Sequence, residues 1–461
     1  MSARALLLLL VGVALAAVAC SGTASTAPTE PSPSGATVAD FGPAPTVPDG
    51  PVADDVATDL DIVFASLAAR PDVDAAVRLG AADDARIAWL LADILRFSPA
   101  GDFRQAVVGS WSDLTGVTVD GGATAWGEVT DHMLAWDTPA PPGYVGWKRQ
   151  VFELIEPGWA PFFDDQDATI DWRLVSWGGV LIDDRPVDET DQPCPRGCIP
   201  ALNDPALVPA AEGGWYDDDA VVFGVEIDGV AVAFPKNIME VHEMVNTTLA
   251  GRRIGLPYCT LCGSAQAYFT DEVSSGDRPH YELRTSGLLS RSNKVMYEFH
   301  TGSVFDTFTG EAVTGPLREQ GVVLEQVTVT TSTWGDWKMA HPDTSIVAED
   351  GGIGRTYPAD PLQGRDANGP IFPVGDVDPR LGVQDSVVGV IGLDGTPVAF
   401  AVAGLDAATG TGPVVAGGVV IESDGAGFTA QDETSGSSLA AHEAFWFAWS
   451  QFHPDTELWL G

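Results

Sequence analysis

Apolar residues recur at helical spacing between Asp54 and Trp159, and after Ile170 they fall in short alternating runs broken by Gly and Asp. The chain therefore reads as helices first and strands afterwards. Leu60, Val63, Phe64 and Leu67 share one helix face, and Ile87, Leu90, Leu91, Ile94 and Leu95 share another, with Asp83 or Asp84 near its N-terminus. Phe103–Leu114, Trp126–Trp136 and Val145–Ile155 continue the series. Trp89, Trp111, Trp126, Trp136, Trp147 and Trp159 are expected to form the core and rim of a helical domain over residues 53–160, followed by a connecting segment, 161–198.

Two strand patterns recur. Val221–Phe234 reads as two strands joined by Asp228-Gly229, and Val387–Phe400 repeats it around Asp394-Gly395. Trp334, Trp337 and His341 stand at i, i+3 and i+7 before Pro-Asp-Thr, and so do Trp446, Trp449 and His453. That spacing puts each trio on one helix face, and the proline ends the helix. The hairpins lie 166 residues apart but the Trp helices only 112, so the second copy is 54 residues shorter between them. The expected fold class is α+β: a helical N-terminal domain, then a β-rich, internally duplicated C-terminal unit with short helices. Residues 199–349 form its first repeat and 350–461 a shortened second one. Chemistry is expected in the stretch that the first repeat alone carries.

Composition changes this picture in one respect. With 65 acidic residues against 23 basic ones, the formal charge is −42, which repels phosphate backbones and makes nucleic acid an unsuitable partner. The N-terminus sets the compartment. Arg4, the apolar run Ala5–Ala19 and Ala17-Val18-Ala19-Cys20 have the form of a bacterial lipoprotein signal, so residues 1–19 are read as a signal peptide and Cys20 as the lipidated residue. Residues 20–52, rich in Pro, Ser and Thr, read as a tether. Later segments lack the roughly 20 unbroken apolar residues of a membrane helix. The expected location is the cell envelope, on the outer face of a bacterial membrane, held by lipid alone.

The chemistry-bearing residues cluster in the first repeat. A short helix is expected to carry His242-Glu243 and lead to Asn246, and a strand ends at Cys259-Thr-Leu-Cys262; Cys194 and Cys198 form a second pair just before the repeat. Two cysteines at such spacing chelate a soft metal, close a structural disulfide, or cycle between dithiol and disulfide. In the metal reading, His242, Cys259 and Cys262 bind one transition ion (Zn, Cu or Fe), Glu243 accepts a proton or orients a ligand, and Asn246 supplies a hydrogen bond. His-Glu-x-x-Asn lacks the second histidine of a zinc protease. Outside the cytoplasm, structural disulfides are the default, with Cys194 and Cys198 one candidate pair. Acid runs at Asp164-Asp165, Asp167 and Asp217–Asp219 do not follow calcium-loop spacing.

The ordered series His-Glu-x-x-Asn, Tyr-Cys-x-Leu-Cys-Gly-Ser-Ala, Ser-Gly-Leu-Leu, Thr-Gly-Glu-Ala and Trp-x-x-Trp-Lys-x-x-His-Pro-Asp-Thr resembles the domain of unknown function 3179 family over about residues 199–461. The resemblance implies an exported or lipid-anchored protein and no particular activity. Ser290-Arg291 stands where a Tyr-Asn-like pair is expected, and the helical region lies outside the family pattern. Three functions stay open at this point: an extracytoplasmic lipoprotein carrying a transition metal, a non-enzymatic envelope binding or assembly module braced by disulfides, and a thiol–disulfide redox protein. Enzymatic activity and the protein or small-molecule partner are left undetermined.

Overall fold

A computed structural model describes residues 35–271, 280–366 and 368–461. The expected signal peptide, residues 1–19, and Cys20 lie outside the described residues. Those that are described group into two compact units, 36–157 and 158–461.

Helices Asp54–Ser66, Val73–Leu79, Ala88–Phe97, Asp102–Thr115, Ala125–Trp136 and Tyr144–Ile155 make up the first unit. They form where the apolar stripes fall: Leu60, Val63, Ile87, Leu90, Leu91, Ile94 and Leu95 are buried, as are Trp89 and Trp111. Asp72 caps the second helix by accepting the Ala75 N–H at 2.8 Å. Part of the expected tether packs onto this unit. The Trp136 indole donates to Gly42 O at 3.1 Å, and the rings of Phe41 and His132 meet edge to face. Among the described residues no helix is long and apolar enough to cross a membrane.

The expected α+β class, a helical domain followed by one duplicated β unit, is corrected by the sheets. Strands from Val175 onward close into five small sheets of four to six strands, the count of a five-bladed β-propeller, with helix in about 30% of the chain. Many of these strands are only two or three residues long, such as Leu202–Asn203 and Gln326–Val327, too short to show an alternating pattern.

Within the five, two pairs of sheets share a plan. Thr330–Thr333, Val221–Ile227, Val230–Pro235 and Ser345–Val347 lie in that order, and Ala441–Phe445, Ser386–Ile391, Pro397–Ala401 and Glu457–Trp459 repeat it, the third and fourth strands being parallel in each; Leu207–Pro209 extends the first sheet by one antiparallel strand. The Trp helices Trp334–Ala340 and Trp446–Phe452 cover these sheets. Trp337 lies over Gly224 and Trp449 over Gly389, so closely that an added Cβ would come within 2.2 and 2.1 Å of the ring.

Gln326–Val327, Ala267–Phe269, Arg252–Cys259 and Met244–Leu249 are matched likewise by Ser438–Leu439, Phe428–Asp432, Val419–Ser423 and Val414–Ala416. The fifth sheet has no counterpart. Three of its four strands, Leu283–Ser290, Asn293–Glu298 and Val304–Asp306, are inserted between Ala267–Phe269 and Gln326–Val327, where the second copy runs straight from Asp432 to Ser438; the fourth, Val175–Trp177, comes from earlier in the chain. The residues absent from the second copy are therefore chiefly this sheet and the Cys259–Cys262 loop.

Candidate functional site

Cys259 ends the strand Arg252–Cys259, and Ser264–Ala265 folds back on it with Cys259 opposite Ser264. The intervening turn needs Gly263, which sits at φ +58° with the Phe445 ring 2.9 Å from where a Cβ would be. Cys259 and Cys262 are joined as a disulfide with Cα atoms 5.4 Å apart. Cys262 O accepts the Phe445 N–H at 2.8 Å, and both cysteines pack with Phe308, Val387, Ala444 and Trp446. Cys259 retains 3% exposure and Cys262 none.

The inserted sheet delivers a lysine to this bridge. The Lys294 main-chain N–H donates to Cys259 Sγ at 3.4 Å. Its Nζ donates to Glu243 Oε2 at 2.9 Å and to Thr285 Oγ1 at 2.6 Å. Thr260, the residue after Cys259, donates its hydroxyl to Glu243 Oε1 at 3.3 Å. Burial pulls the Lys294 ammonium below the ordinary lysine range, and the facing Glu243 carboxylate opposes that shift. Glu243 closes the helix Lys236–His242 at φ +52°, a left-handed conformation that costs a residue with a side chain about 1–3 kcal/mol. Its position is fixed from both sides, since its N–H donates to Met239 O and its carbonyl accepts the Tyr258 N–H.

The same turn separates His242 from Glu243. The His242 imidazole is fully buried, donating from Nδ1 to Pro200 O at 2.9 Å and accepting at Nε2 from the Tyr357 hydroxyl at 2.7 Å. Burial lowers its pKa to about 4, so the ring is neutral with both nitrogens engaged. Asn246 is also buried and satisfied: its amide donates to Asn203, Glu282 and Leu283 O, and its oxygen accepts the Leu283 N–H. The expected His242, Cys259 and Cys262 ligand set is therefore not assembled. The sulfurs are bonded to each other and the imidazole is engaged elsewhere. Of the expected supporting residues, Glu243 reaches the cysteine loop and Asn246 instead ties two strands together.

Cys194 and Cys198 are joined as well, with Cα atoms 5.4 Å apart. Among the described residues, one trio of metal-ligating side chains comes together, Asp183, Cys194 and Cys198, with ligand atoms within 4.8 Å of one another. Of the acid runs, Asp165 is taken up by Arg318 and the Gly315 N–H. Lys294 was not visible as a site residue from the chain alone. The available signal was its rarity: the chain has four lysines, and this one directly precedes the apolar run Val295-Met296-Tyr297.

A comparison with family models matches residues 196–425 to the family described as Protein of unknown function (DUF3179). No curated protein and no solved structure matches the chain.

Proposed function

We propose that this chain, whose residues 196–425 belong to the DUF3179 family, is a lipid-anchored envelope protein that carries out thiol–disulfide exchange at Cys259–Cys262. The observation that carries the reading is that the Lys294 main-chain N–H donates to Cys259 Sγ while the same residue's side chain pairs with Glu243, which accepts from Thr260, the next residue of the cysteine loop. A structural brace needs only its two cysteines. Here a buried lysine is paired with a glutamate held in a left-handed conformation, and both features oppose stability. Their placement beside the cysteine loop, through Thr260, fits a sulfur whose thiolate must be stabilised.

In the reduced protein, the Lys294 main-chain N–H hydrogen bond lowers the pKa of the Cys259 thiol, and the ammonium of the same residue, held by Glu243 beside the cysteine loop, adds to this effect. Cys259, the more exposed of the two, attacks a disulfide in the partner. One S–S bond breaks, a mixed disulfide forms, and the partner's first sulfur leaves as a thiolate. Cys262 then attacks Cys259, closing the internal bridge and releasing the partner's second thiolate. The partner has gained the two electrons that the dithiol lost. Glu243 and Thr260 hold the lysine and the loop in place during these steps. Attachment through Cys20 would keep this exchange on the outer face of the membrane.

The test is reversible opening of the folded protein. The purified chain is equilibrated in graded dithiothreitol buffers without denaturant, alkylated and weighed. Complete, reversible conversion of Cys259–Cys262 supports the reading. A bridge that opens only in urea overturns it and leaves the braced, non-enzymatic envelope module, which the zero exposure of Cys262 favours.

A further inference from the structure

The second cysteine pair has a different setting. In Cys194-Pro-Arg-Gly-Cys198, Gly197 at φ +85° lets the segment turn back, its N–H donating to Cys194 O at 3.2 Å. The Cys198 N–H donates to Cys194 Sγ at 3.2 Å. Leu181 bridges to Cys198 in parallel fashion and donates its N–H to Gly197 O at 3.2 Å, which lays residues 181–183 beside the turn. This register brings the fully buried Asp183 carboxylate to the two sulfurs, the three ligand atoms lying within 4.8 Å of one another. Arg185 holds the carboxylate, with Nε donating to Oδ1 and Nη2 to Oδ2, both at 2.7 Å. A carboxylate oxygen has lone pairs beyond the one that such a fork uses. Cys194 is half-buried and Cys198 is 9% exposed, so this bridge is open to solvent in a way that Cys259–Cys262 is not.

We propose that reduction of Cys194–Cys198 converts this segment into a binding site for a zinc-class divalent ion, ligated by Asp183, Cys194 and Cys198. A dithiol reductant supplies two electrons and two protons: the S–S bond breaks, two thiols form, and the reductant leaves as its cyclic disulfide. The incoming ion displaces both thiol protons. Two thiolates and one carboxylate then face a +2 ion, and the remaining negative charge is matched by the guanidinium of Arg185. The Cys198 N–H already points at Cys194 Sγ, an arrangement that favours the thiolate. Two sulfurs and one oxygen suit zinc or cobalt far better than calcium or magnesium. A fourth position would fall to water. The proposal is independent of exchange at Cys259–Cys262.

The test uses the full chain and Co²⁺ as the probe. Protein is reduced with dithiothreitol, desalted without oxygen and titrated with Co²⁺. One equivalent is expected to bind with a thiolate-to-cobalt charge-transfer absorption, and the oxidised protein should show none. The absorption is expected to vanish in Cys194→Ser, to need at least about tenfold more metal in Asp183→Asn, and to persist in the Cys259→Ser/Cys262→Ser double variant. Absence of the absorption from the reduced wild type overturns the proposal, as does its persistence in Cys194→Ser/Cys198→Ser.

Discussion

The main-chain N–H of Lys294 donates to the sulfur of Cys259 at 3.4 Å, across 35 residues of sequence. The side chain of the same lysine is buried against Glu243, which adjoins the helix that precedes the cysteine strand. One residue of the inserted sheet thus connects the sulfur, a carboxylate and the fold around them.

Replacing Lys294 by Met should separate these roles. The thiol pKa of Cys259, read from the pH dependence of its alkylation in the reduced protein, is expected to rise. Loss of the ammonium also leaves Glu243 unpaired in a largely buried place, and stability should fall by about 3 kcal/mol. Adding Glu243→Gln should recover much of that loss in a urea titration without restoring the thiol pKa.

Asn246→Ala tests the reassignment of that residue. Its amide makes four hydrogen bonds to three residues, Asn203, Glu282 and Leu283, so truncation should cost about 2–3 kcal/mol in urea unfolding. The potential of the Cys259–Cys262 couple should stay at its wild-type value. A change in potential with little loss of stability would place Asn246 back in the site.

The paired indoles predict matching sensitivities. Gly224→Ala and Gly389→Ala each push a methyl group into a buried Trp ring and should cost about 1–3 kcal/mol or more. Gly109→Ala, inside the helix Asp102–Thr115 with nothing within 4 Å of its added Cβ, should stabilise by roughly 0.5–1 kcal/mol. Thermal melting of the three variants distinguishes overpacking from a general intolerance of substitution.

Stability should also respond to pH in two opposed ways. Burial lowers the pKa of His242 and His453 to about 4 and of His442 to about 3, below the unfolded value near 6.5. The unfolded chain then binds more protons at these sites, so their contribution is present above pH 6.5 and is lost as pH falls toward 4. Burial raises Glu282 to about 7 and Glu443 to about 8. Their contribution is present below about pH 4.5 and is lost as pH rises through 7 and 8. In Glu443→Gln, the fall in stability between pH 6 and 8 should shrink, as measured by urea midpoints across that range.

Some of this was legible in the chain. Trp334-Trp337-His341 and Trp446-Trp449-His453 announce two equivalent helices because i, i+3, i+7 spacing and a stopping proline need no tertiary information. The structure supports the equivalence, with each second indole donating to a threonine hydroxyl, Thr344 or Thr456, at 2.9 Å. The hairpins were legible for the same local reason. The division into five sheets was not, because strands of two or three residues such as Ser264–Ala265 exist only through their partners. Nor was the parting of His242 from Glu243, which depends on one left-handed residue and not on their adjacency. Lys294 was missed because its partner Glu243 lies 51 residues away, and strand alternation cannot say what a buried lysine faces.

The central claim is that Cys259 is the exchanging sulfur. It is tested most directly by treating folded Cys262→Ser protein, with Cys194–Cys198 left oxidised, with oxidised glutathione at neutral pH and mapping the adduct by mass. The account predicts one glutathione on Cys259, formed without denaturant and more slowly in the added Lys294→Met variant. A Cys259 that stays unmodified until the protein is unfolded would contradict it.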